Sequence, residues 1–210
     1  MAGGCMSGAN GVRPRRCALV VLVLLLVAPA AQAHLTATGM GPVYDGLLHF
    51  LLSPEDFVPA LALALLAGLC GAACGRRALF TLPATWFLGG LAGSMVAAAD
   101  TAPVLSAFWL VLLGGAVAAD PRLPVSALTV LAALLGAVRG FFNGAGMDHS
   151  AASLVVLLGI AAAVFVLVGL AGAFVVALRP AWARIAVRVG GSWIAASGIL
   201  LLGWSFRSGQ

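Results

Sequence analysis

His49, Glu55 and Asp56 fall within a short stretch, 45–57, that holds one of the three histidines and three of the six acidic residues in this 210-residue chain. A second polar island carries Asn143, Asp148 and His149, and His34 stands near the start. Imidazole mixed with carboxylate suits borderline divalent ions such as nickel, cobalt or zinc better than magnesium. Carboxylates and water alone would favour magnesium or calcium. The candidate metal ligands are therefore His34, His49, Glu55, Asp56, Asn143, Asp148 and His149. Each has a plainer reading. A histidine at a membrane interface can simply bond to backbone or water. Ser53-Pro54-Glu55-Asp56 has the form of a helix start, with serine as N-cap, proline at the first position and acids complementing the first turn. His49 is the most persuasive of the set, because it lies between Leu48 and Phe50 in an apolar run.

The elements that must position these residues are membrane spans. The chain is 63% hydrophobic and 8% charged, with a mean hydropathy of +1.14. Continuous apolar runs near the length that crosses a bilayer recur along it, which excludes a soluble domain and argues against a β-barrel. The net charge of +5 comes from arginines scattered singly or in pairs between the runs. That pattern reads as membrane orientation, not as nucleic-acid binding. Cys70 and Cys74, four residues apart, read as small packing residues on one helix face.

Residues 1–33 have the form of a secretory signal: Arg13, Arg15 and Arg16, an apolar centre from Leu19 to Val27, and Ala31-Gln32-Ala33 as a small-x-small cleavage site. Cleavage leaves His34 as a terminal residue offering both an amine and an imidazole. Residues 34–210 form one transmembrane domain, an all-α polytopic bundle of about six spans, at approximately 57–74, 79–99, 104–119, 124–140, 151–178 and 189–206. The apolar residues before Ser53 suggest a half-buried helix, a break, and then a second piece, and broken helices at membrane depth line sites or cavities. Gly89, Gly90 and Gly93 permit close helix packing. With the mature N-terminus outside, Arg76, Arg77, Arg122, Arg179, Arg184 and Arg188 fall on the inner side and only Arg139 and Arg207 on the outer side, as the positive-inside rule requires. All three histidines then face outward. The expected location is a bacterial inner membrane, multi-pass, with both mature termini periplasmic.

Gly46-Leu47-Leu48-His49 and Gly140-Phe141-Phe142-Asn143 make a weak internal repeat: glycine, two apolar residues, then a side chain able to bind a ligand. Each is followed by carboxylates. Duplicated halves meeting at a shared site are common in secondary transporters.

This layout resembles the HupE/UreJ family of small membrane proteins. His49 and Asp56 match the first histidine and the aspartate of the family's early motif with an altered gap, and Phe57 stands where its second histidine belongs. Phe142-Asn143-Gly144-Ala145-Gly146-Met147 looks like the later motif, with Asn143 in place of histidine. The resemblance implies a secondary-type permease for a divalent transition metal ion, with Ni2+ or Co2+ as the transported species and no tightly bound cofactor. No phosphate-binding loop is present, so a gradient or a partner would supply the energy. The alternative is a non-transporting accessory protein that assists assembly of a metalloenzyme or respiratory complex. An intramembrane enzyme is not expected, since no Ser-His pairing or pair of in-span aspartates is evident. The expected partners are the lipid bilayer and the divalent ion, with a homo-oligomer or metalloenzyme maturation proteins possible, and no nucleic acid.

Overall fold

The computed structural model describes residues 39–96, 103–147, 151–178 and 180–208. All regular structure among them is helical: α1 Pro42–Leu52, α2 Pro54–Cys70, α3 Ala72–Gly93, α4 Pro103–Ala119, α5 Val125–Ala145, α6 Ala151–Ala177 and α7 Ala181–Ser208. The expected signal segment 1–33 and His34 lie outside the described residues.

Each of the six expected spans is represented by a helix, α2 to α7, and α1 is the half-helix expected before the break. By length and composition alone the count of spans is smaller. Among the described residues three helices, in α5, α6 and α7, are long and apolar enough to cross a membrane, and α1 with α2 makes a fourth as a pair bent by 76°. Helix α4 is apolar but 17 residues long. Helix α3 carries Arg76 and Arg77 in its second turn, because the chain breaks at Gly71 and not at the arginines. Gly71 has φ +113°, open to glycine and strained for other residues. Cys70 and Cys74 consequently sit on two helices, not on one face, and are joined as a disulfide across the break.

Helix α2 is the centre of the bundle. It packs against α3, α4 and α6, with lesser contacts to α5 and α7. From Pro59 onward most of its side chains are buried, as expected of a helix apolar all round. The remaining helices pair closely, α3 with α5 and α4 with α7. Helix α1 lies on α6 through two reciprocal glycines: a Cβ on Gly46 would strike the Val156 carbonyl, and one on Gly159 would strike the Val43 carbonyl. This close approach fixes the helix that carries His49.

One end of the bundle is closed by arginines on helix C-termini. Arg184 donates to both carboxylate oxygens of Asp120 at 2.9 Å and to the Leu69 carbonyl at 3.2 Å. Arg188 donates to the Ala118 carbonyl at 2.9 Å. A guanidinium suits the last carbonyls of a helix, where the macrodipole is negative. Asp120 follows α4 in the left-handed region, at φ 53°, which a short acid tolerates.

Candidate cation site

Glu55, Asp56, Ser106, Arg139 and Asn143 cluster at the opposite end of α2, thirteen residues from Leu69 to Asp56, or about 20 Å at helical rise. Ser53 is the N-cap residue of α2, with Pro54 at its first position and Glu55 and Asp56 in its first turn. The N-cap makes no side-chain bond to the helix. Both acids reach across to α5, and neither serves only its own helix end. Arg139 Nε donates to Asp56 Oδ1 at 2.7 Å, and its Nη2 contacts the same oxygen. Nη2 is also 3.5 Å from Glu55 Oε2. Nη1 donates to Ser106 Oγ at 3.2 Å, and the Ser106 hydroxyl donates to Glu55 Oε2 at 3.2 Å. Three helices, α2, α4 and α5, are thus tied at one end by a single guanidinium.

The two acids differ in exposure. The side chains of Asp56 and Arg139 are 1% and 2% exposed, whereas that of Glu55 is 52% exposed. Asp56 is committed to Arg139. Glu55 has one long contact to the guanidinium and a face open to the surroundings.

One turn beyond Arg139 on α5, Asn143 meets α1. Its Oδ1 lies 3.4 Å from His49 Nε2, a long hydrogen bond. The fourth residues of the two sequence repeats therefore meet. Their first residues, Gly46 and Gly140, are both positions where the helix backbone touches a neighbour, α6 in one case and α3 in the other. The Asn143 Nδ2 group is buried without a partner, which is costly for an amide donor. A 180° rotation of the amide would direct nitrogen to His49 and place an oxygen, a cation ligand, at the unpaired position.

Of the seven expected ligands, the structure joins His49 to Asn143, and Glu55 to Asp56 through Arg139. His34, Asp148 and His149 lie outside the described residues. Among the described residues, no three of His, Cys, Asp and Glu are grouped closely enough to hold a metal ion. Arg139 and Ser106 are the residues that the sequence reading missed as parts of the site. The sequence puts Arg139 at the outer end of the span 124–140. The helix continues past it to Ala145, and Arg139 is buried within the bundle. The signal was available: an arginine between Val138 and Gly140-Phe141-Phe142 requires a buried partner.

The family model described as HupE / UreJ protein matches residues 22–201. Comparison with curated proteins and with solved structures returns no match.

Proposed function

The chain belongs to the HupE/UreJ family, and from that premise we propose that it is a secondary-type permease for a divalent transition metal ion, nickel or cobalt. It is a membrane protein, for which we propose an inner-membrane location with both mature termini on the periplasmic side. The observation that carries the reading is the meeting of His49 with Asn143, whose own Nδ2 group is buried without a partner. An imidazole and an amide oxygen are neutral ligands for a borderline ion, and the half-exposed Glu55 carboxylate supplies negative charge nearby. Asp56 acts by holding Arg139, so Glu55 is the acid that meets the ion. His34, Asp148 and His149 are the further ligands proposed to complete its coordination. Weak, neutral ligands suit a carrier, which must release what it binds. The reading is supported by the break between α1 and α2, a pair bent by 76°, since broken helices are a usual place for a transported ion.

Uptake of radiolabelled nickel and cobalt by cells expressing the protein tests the reading, with membrane expression measured for every variant. His49→Ala and Glu55→Gln are each expected to lower uptake on the order of tenfold or more at normal expression. Asn143→His restores the imidazole of the family motif and is expected to raise affinity for nickel. Absence of uptake of either ion by well-expressed wild type would sink the permease reading.

The alternative is an accessory protein that assists metalloenzyme assembly without transport. It is favoured by the lack, among the described residues, of a closed group of three ligating side chains. On that reading His49→Ala would leave cellular metal content unchanged and lower only the maturation of a partner enzyme.

A further inference from the structure

Arg76 and Arg77 stand at the N-terminal end of α3, at the same end of the bundle as Leu69 and Arg184. Two cations there oppose the helix macrodipole, whose N-terminal end is itself positive. The first turn has no side-chain cap. Among the described residues no acid pairs with either arginine, the ion pairs being those of Arg139 and Arg184. The two guanidiniums therefore stand together without a counter-charge from the described residues.

Two apolar grooves reach this charge. One, of about 230 Å³, runs between α3 and α6 from Arg76 past Leu79 to Val168 and Val176. It is open because Gly75, Gly169 and Gly172 contribute no side chains to it. The other, of about 530 Å³, is lined by Ala73, Arg76, Arg77, Phe80 and Val125. Phe80 is exposed and is itself on the α6 side, 6.0 Å from the ring of Phe165.

We propose that Arg76 and Arg77 bind the phosphate of an anionic diacyl phospholipid, with one acyl chain in the α3–α6 groove and the other across Phe80 and Val125. Charge alone would suit any phosphate. The paired apolar grooves, both reaching Arg76, select an amphiphile with two chains. Basic pockets between membrane helices are known to take such headgroups.

The test measures the thermal midpoint of the full-length protein in detergent with added phosphatidylglycerol, phosphatidylcholine or inorganic phosphate. Each variant is compared with its own lipid-free midpoint. Phosphatidylglycerol is expected to raise the wild-type midpoint on the order of 5 °C, with little effect from the other two. Arg76→Gln combined with Arg77→Gln should abolish the rise. Gly75→Leu should reduce it by filling the groove; a Cβ at Gly75 meets open space, so the fold tolerates the change. An equal rise with phosphatidylcholine, or a rise that survives in the double arginine variant, overturns the proposal. A rise reproduced by inorganic phosphate shows a free-anion site and also overturns it. If the double variant does not fold, an undiminished rise in Gly75→Leu decides against the lipid.

Discussion

Replacing Arg139 with methionine is expected to lower the thermal midpoint of the protein by roughly 10 °C or more. The substitution leaves the Asp56 carboxyl, 1% exposed, without the guanidinium that binds its Oδ1. Breaking one side of a buried pair costs on the order of 3–5 kcal/mol, since the remaining charge is stranded, and about 2–4 °C accompanies each kcal/mol in a chain of this size. Asp56→Leu alone is expected to be less damaging, because Arg139 keeps Glu55 at 3.5 Å and the Ser106 hydroxyl as partners. The two changes together should recover more than half of the loss: an apolar pair removes the desolvation penalty along with the attraction. Thermal unfolding of the three variants in detergent, followed by size-exclusion chromatography, checks this. A single Arg139→Met variant within 2 °C of wild type would mean that the pair contributes nothing. The double variant has a second use. If it folds and no longer transports, the ion pair does more than hold α2 to α5, since Glu55 also leans on the same guanidinium.

The stretch from His49 to Asp56 was legible because rare residue types cluster there, and a helix break was legible from Ser53-Pro54. The weak four-residue repeat put His49 and Asn143 at matching positions without saying that they touch; the structure brings them to 3.4 Å, on helices whose repeat glycines approach their neighbours closely. Arg139 was misplaced for a physical reason. A lone arginine near the end of an apolar run is read as a turn residue when its partner lies 83 positions away in sequence. Its apolar neighbours call for a buried partner, but nothing local says which residue that is. Ser106 was lost in the same way: a serine in an apolar helix is unremarked until a carboxylate and a guanidinium converge on it. The break at Gly71 was also hidden, since the double arginine five and six residues later offered a more conventional place to end a span. It took the backbone, at φ +113°, to show that the glycine makes the turn and that the arginines ride on the next helix.

Gly140→Ala is expected to be the most harmful single-methyl addition in the bundle and to abolish uptake along with stability. Helices α3 and α5 are interlocked by glycines on both sides. A Cβ on Gly89 or Gly93 would run into the Ala137 or Phe141 carbonyl, and one on Gly140 or Gly144 into the Trp86 or Gly90 carbonyl. The obstacles are backbone atoms, which no rotamer change can move, so the helices must separate along the seam. Overpacking of a tight core costs about 1–3 kcal/mol where side chains can yield, and the upper end or beyond is expected here. Gly140 lies between Arg139 and Asn143 on the same helix, so any displacement of α5 pulls the guanidinium from Asp56 and the amide from His49 together. Gly203→Ala provides the contrast. It meets no atom within 4 Å, and alanine is favoured over glycine in a helix by about 1 kcal/mol, so it should leave the midpoint unchanged or slightly raised. Thermal midpoints and nickel uptake of the two variants, measured side by side, read out both effects. Equal midpoints for Gly140→Ala and Gly203→Ala would show that α3 and α5 are not in backbone contact. A stable Gly140→Ala protein that fails only in uptake would place the cost in the site and not in the seam.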